Sequence, residues 1–206
     1  MADADRPQLY LITPPAPDPV AFPDALASVL DAAEIACLRL SLASDDADHV
    51  ARMADVTRAI AHARDVPLVI DRHLKLVEPH GLDGVHFPDG ARHVRAARKE
   101  LSADQIVGAG CGNSSHDGMS AGEAGADYVA FSPVTPSLLD TAPPAELDLF
   151  AWWSEMIELP VIAEGGLTDE AIQSLAPVTD FLAFGSEIWQ SDAPAKEIAR
   201  INALLS

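Results

Sequence analysis

Cysteine is nearly absent from this sequence. There are two thiols, Cys37 and Cys111, in 206 residues, and they are too far apart for metal-ligand spacing. That argues against a disulfide framework and makes a reducing compartment the expectation. Positive charge is scarce as well: 13 Lys and Arg stand against 32 Asp and Glu, a formal net charge of −19 spread along the chain. Such a surface repels nucleic acid and anionic lipid, so neither is an expected partner. An anionic substrate would need a few arginines, backbone N–H groups and a metal ion to hold it. No apolar stretch approaches the roughly 18 residues needed to cross a bilayer. The first ten residues have neither the positive start nor the apolar run of a secretion signal. A cytoplasmic protein is the expectation.

What is present is a hydrophobic fraction of 49% with only 22% charged residues, enough apolar material for a sizeable core. Short runs rich in Val, Ile, Leu and Phe, at 8–13, 35–42, 67–71, 83–87, 105–110, 127–131, 160–164 and 180–184, alternate with longer amphipathic stretches such as 22–33, 46–64, 91–101 and 147–157. Nearly continuous apolar runs are the mark of parallel strands covered on both faces. Repeated strand–helix alternation means βαβ units. The first run is followed by Thr13-Pro14-Pro15-Ala16-Pro17, with no glycine, so an open dinucleotide-binding sheet is disfavoured. The fold class expected is α/β, a (β/α)8 TIM barrel, with residues 1–206 as one domain. The proline-rich stretch 133–144 reads as a long loop after strand 6, of the kind that closes over sites.

The working face of such a barrel is the C-terminal end of its strands. Polar residues there are Thr13, Arg39, Ser41, Asp71, Arg72, His86, Asp89, the run Asn113-Ser114-Ser115-His116, Ser132, Glu164 and Ser186. Two glycine turns, Gly165-Gly166 after strand 7 and Gly185-Ser186 after strand 8, stand where barrels of this kind often hold a phosphate. Ordinary βα turns would explain them too. Asp71 beside Arg72 suits a Mg²⁺ ion carrying a diphosphate, or a rim ion pair. Arg39 lies within an apolar strand and needs a ligand anion or a carboxylate partner such as Asp71 or Glu164. His86 is either a general acid or a hydrogen-bonded core residue. Asp89 is either a second metal ligand or the cap of the helix near Ala91. Capping or exposure suffices for His116 and Asp117, and Trp152-Trp153 should fill space between helix and barrel.

The strings Leu9-Tyr10-Leu11-Ile12-Thr13, Leu38-Arg39, Ile70-Asp71-Arg72, Gly81-Leu82-Asp83-Gly84-Val85-His86, Gly125-Ala126-Asp127-Tyr128-Val129 and Pro160-Val161-Ile162-Ala163-Glu164-Gly165-Gly166 follow in this order. With the strand-8 turn they resemble the thiamine phosphate synthase and TenI-type superfamily over nearly the whole chain. The resemblance implies a transferase of thiamine biosynthesis that joins hydroxymethylpyrimidine diphosphate to thiazole phosphate and releases diphosphate with Mg²⁺. It implies that Arg39 and Arg72 contact the diphosphate and that Asp71 binds Mg²⁺. His86 is a further catalytic candidate, and Asp89, displaced by two residues from the family's position, is the candidate second metal ligand. Gly165, Gly166, Gly185 and Ser186 would hold the thiazole phosphate. Small phosphorylated heterocycles are the expected partners, and a homo-oligomer is compatible with the family.

The departures gather at the diphosphate end. Cys37 and Ser41 stand where the family has glutamine and lysine beside the strand-2 arginine, and Ile70 replaces an asparagine. Ala91 falls on the second metal-binding aspartate, and the loop after strand 6 offers no lysine. An altered or impaired synthase is therefore one expectation. A non-catalytic phosphate-ligand-binding paralogue and a thiazole tautomerase-like isomerase, using His86 or His116, are the alternatives.

Overall fold

The computed structural model describes residues 6–136 and 143–205. Eight strands, β1 (Gln8–Ile12), β2 (Ile35–Leu40), β3 (Leu68–Asp71), β4 (Gly84–Phe87), β5 (Ile106–Gly110), β6 (Tyr128–Phe131), β7 (Val161–Glu164) and β8 (Phe181–Phe184), pair in sequence order, and β8 closes on β1. All eight pairings are parallel, as expected where helical crossovers separate consecutive strands. The helices are α1 (Phe22–Ala32), α2 (Ala47–His62), α3 (Val94–Glu100), α4 (Ser115–Ala124), α5 (Leu147–Met156), α6 (Asp169–Leu175), α7 (Ser186–Trp189) and α8 (Pro194–Leu204).

Local chemistry sets several of these starts. Asp46 accepts from the N–H groups of Asp48 and His49 to open α2, Ser114 accepts from Asp117 to open α4, and Thr168 accepts from Ala171 to open α6. His116 and Asp117 therefore lie inside the exposed first turn of α4 rather than before it. The opposite, N-terminal rim is closed by one repeated device. The carboxylates of Asp83, Asp127 and Asp180 accept from N–H groups in the first two residues of neighbouring strands, at Leu68 (2.7 Å), Val107 (2.7 Å) and Val161 (2.8 Å). Part of the acidic excess thus satisfies strand ends, where backbone donors would otherwise lack partners.

The alternation fails at one place. Between β3 and β4 there is no α-helix, only a 3-10 turn, Leu74–Leu76. Pro79 and Gly81, the latter at φ 60°, leave too little helix-forming chain there. The stretch expected to be helical at 91–101 likewise divides into a 3-10 turn, Gly90–Arg92, and α3. Asp89 precedes that turn but makes no capping hydrogen bond, so the capping role, one of its two readings, is not filled. A groove of about 650 Å³, lined by Arg72, Lys75, Asp89 and His93 among others, opens between α2 and α3 beside the missing helix.

The apolar side chains fall into two layers. The larger packs the outward faces of the strands against the helices, with Leu11, Leu38, Leu40, Val129 and Phe184 meeting Leu26, Trp153 and Ile198. The smaller is the barrel interior: Tyr10, Cys37, Val69, Tyr128, Ala130, Ile162 and Ala183. Room for the Tyr128 ring comes from Gly108, where a Cβ would lie 2.1 Å from the ring. Trp153 fills the helix–barrel layer as expected and donates from its indole to Leu159 O (2.8 Å), whereas Trp152 is 40% exposed. Among the described residues no helix is long and apolar enough to cross a membrane.

Candidate active site

Strand alternation turns Cys37 and Arg39 of β2 into the barrel while Leu38 and Leu40 face the helices. Arg39 is 6% exposed, and its guanidinium lies among charged and polar groups from four other strands. Its NH2 is 2.9 Å from Glu164 Oε2, at the end of β7, and its Nε is 3.4 Å from Asp71 Oδ1, at the end of β3. Its NH1 donates to His86 Nε2 on β4 (3.1 Å), and the guanidinium stands 5.9 Å from the Tyr10 ring centre on β1. Burial alone would disfavour this charge, yet Glu164 and Asp71 together hold Arg39 more firmly protonated than a free arginine. Of the two fates open to Arg39, the carboxylate pairing is the one formed.

Arginine has no acceptor, so His86 Nε2 must be the bare ring nitrogen and Nδ1 carries the proton. Nδ1 then donates to the Tyr128 hydroxyl (3.0 Å), which lies 2.8 Å from the hydroxyl of Tyr10. Burial, with Arg39 and Arg72 nearby, pushes His86 well below the ordinary imidazole range, which agrees with a neutral ring. Burial raises Tyr10 and Tyr128 and pushes the Cys37 thiol up to about 12. The interior is thus one fixed cation, two carboxylates and a column of neutral donors. His86, 1% exposed, is hydrogen-bonded to Arg39 as a core residue, one of the two readings its sequence position allowed.

The pairing is electrostatically close but incompletely aligned. Arg39 Nε, Asp71 Oδ1 and Glu164 Oε2 are buried atoms without a well-oriented hydrogen bond. Such atoms keep bonding capacity that a ligand or water could take up. Arg72 follows Asp71 at φ 63°, a left-handed conformation uncommon for a non-glycine residue, with its N–H bonded to His86 O (2.9 Å). The Arg72 side chain is exposed at the groove.

Metal binding can be tested on these residues. Among the described residues no cluster of three or more His, Cys, Asp and Glu could hold an ion. The Asp89 carboxylate lies 3.4 Å from His93. Mg²⁺ needs only one or two protein carboxylates when substrate phosphates and water complete its shell. Asp71, 18% exposed at the strand end with a buried oxygen lacking an aligned donor, fits that restricted role.

Across the mouth, a hollow of about 370 Å³ is lined by Thr13, Ser41, Glu164, Gly165, Gly185 and Ser186 among others. Gly165 and Gly166 both take left-handed φ, 87° and 76°, and a Cβ on Gly166 would come within 2.8 Å of the Thr135 Cβ. The two turns expected to bind phosphate do converge. One residue that sequence reasoning passed over stands between them, Glu187, in the first turn of α7. It accepts from Gly166 N (2.9 Å), Leu167 N (3.2 Å) and Gly185 N (3.0 Å). Its only sequence signal, an acid just after a strand-end glycine, reads as routine helix-start chemistry. Much of the loop 133–144 expected to act as a lid, residues 137–142, lies outside the described residues.

Residues 9–200 match the family model described as thiamine monophosphate synthase. A thiamine-phosphate synthase of Rhodospirillum centenum is 40% identical over 201 residues, covering 96% of this chain and 97% of that protein. One of Hyphomonas neptunium is 37% identical, covering 97% and 94%. Among solved structures, a thiamine phosphate pyrophosphorylase from Pyrococcus furiosus superposes with a TM-score of 0.81 at 19% identity, covering 96% of this chain and 95% of that one. At that identity the likeness speaks for the fold.

Proposed function

The chain belongs to the thiamine monophosphate synthase family, and from that premise we propose that it couples hydroxymethylpyrimidine diphosphate to thiazole phosphate, releasing diphosphate. As a family member it is a transferase. The observation that carries the specific reaction is the 40% identity, end to end, to a protein named for it.

The chemistry balances without a net proton. The bond from the pyrimidine methylene carbon to the diphosphate oxygen breaks, and its electron pair leaves with the diphosphate. The thiazole ring nitrogen supplies the pair for the new carbon–nitrogen bond. Negative charge grows on the departing oxygen, so fixed positive charge near it lowers the barrier. Arg72, exposed just past the end of β3, would meet the diphosphate. Asp71 would hold Mg²⁺, which when bound neutralises diphosphate charge. Arg39, clamped by Glu164 and Asp71, keeps both strand-end carboxylates in position. His86 keeps Arg39 in place and moves no proton. Gly165, Gly166, Gly185 and Ser186 form the end that takes the thiazole phosphate.

The test is direct. Purified protein incubated with both substrates and Mg²⁺ should release diphosphate and form thiamine phosphate. Asp71→Asn should lower turnover at least about 100-fold, the scale of a lost electrostatic contact to a transition state. Absence of product with the wild-type protein overturns the proposal.

A further inference from the structure

Three backbone N–H groups, from Gly166, Leu167 and Gly185, converge on one point between two turns that are far apart in sequence. Left-handed Gly165 and Gly166 aim two of them, and the start of the β8 turn aims the third. Converging backbone amides of this kind form an anion receptor. Here the receptor is filled from within: one oxygen of Glu187 takes the Gly166 and Leu167 donors, and the other takes Gly185. Two carboxylate oxygens thus make the contacts that two oxygens of a phosphate monoester would make.

We propose that Glu187 is the specificity-determining residue of this end, a tethered anion that must leave the three N–H groups before a monophosphate can take them. The inference rests on reading this end as the monophosphate subsite. The two anions cannot share the place. All three donors are used, and two negative charges a few ångströms apart in a partly buried hollow repel strongly. Among the described residues no Lys or Arg lines the hollow, which carries Glu164 as well as Glu187. The half-buried Glu187 side chain can leave by rotation about its own bonds, and water then restores its solvation. Phosphate affinity is consequently the difference between two anions' affinities for one cradle. A neutral group in the same position cannot displace the carboxylate, so the residue selects for a ligand carrying a strong anion.

The experiment titrates inorganic phosphate into the wild-type protein, Glu187→Ala and Glu187→Gln, by calorimetry at constant ionic strength, with circular dichroism confirming the fold. Glu187→Ala should bind phosphate about tenfold or more tightly, equivalent to about 1.4 kcal/mol. Glu187→Gln should gain less, because its amide oxygen can still accept from Gly166 and Leu167. Should Glu187→Ala fail to fold, the near-isosteric Gln variant decides. Phosphate affinity that is unchanged or weaker in the folded variants overturns the proposal and makes Glu187 a fixed staple between the turns. The readout needs no turnover. A gain in phosphate affinity without coupling activity sinks the synthase reading alone, and coupling with no gain sinks the role of Glu187 alone.

Discussion

Arg39 on β2 reaches across the barrel to Glu164 on β7, its NH2 2.9 Å from the carboxylate oxygen. Removing one partner of a buried pair strands the other charge, which costs about 3–5 kcal/mol. Arg39→Met strands both Glu164 and Asp71 and should lose at least that much stability in urea unfolding. Adding Glu164→Gln to the same chain should recover about 1 kcal/mol or more, since one stranded charge is gone. A loss below about 1 kcal/mol for the single variant would mean water already reaches these carboxylates.

Arg72 separates strain from function. A left-handed non-glycine residue costs about 1–2 kcal/mol, so Arg72→Gly should leave the melting temperature unchanged or raise it. The same change removes an exposed cation from the mouth and should lower coupling turnover roughly tenfold or more. Arg72→Lys should restore part of the activity. Full activity in the Gly variant would remove Arg72 from the diphosphate site.

His86 makes stability fall in acid. Its folded pKa is depressed below an unfolded value of about 6.5, so above that pH the ring is neutral in both states. Below it the unfolded chain takes up a proton that the folded chain refuses, and stability drops by up to about 1.4 kcal/mol per pH unit until the folded pKa is reached. His86→Gln keeps an acceptor and a donor but does not titrate. The stability difference between wild type and variant should therefore shrink from pH 7.5 to pH 5.5 in paired urea titrations. Parallel curves would show that His86 titrates normally.

The two glycine turns should respond unequally to alanine. At Gly166, φ 76° and a 2.8 Å approach to the Thr135 Cβ make the added methyl cost about 1–3 kcal/mol. The moved N–H should raise KM for thiazole phosphate while kcat changes little. At Gly185 the nearest atom to a new Cβ is 3.5 Å away, so Gly185→Ala should cost less stability than Gly166→Ala. Equal effects at the two positions would show that Gly166 is not specially constrained.

Much of this molecule is written in its linear pattern. Apolar runs of four to six residues at the eight strand positions needed only their period and content to be read, and the observed strands fall inside each expected range. The strand-end polar residues follow from that alternation, which is why Arg39, Asp71, Arg72, His86 and Glu164 were identifiable as a set. Partnership was not legible. Whether Arg39 waits for an anion or is held by Glu164 depends on a contact across 125 positions of chain, which only barrel closure brings to 2.9 Å. The same holds for the Tyr10–Tyr128 contact and the neutral state of His86, both products of burial in the barrel interior. The absence of a helix between β3 and β4 had a local signal, Pro79 and Gly81, which the regular alternation around it outweighed. Composition and periodicity, then, determined the barrel and which end of it works. Tertiary structure decided which charges are already paired, and it set Glu187, an unremarkable acid in the sequence, into the N–H cradle between two distant turns, because hydrogen bonds to backbone amides depend on where the chain returns in space.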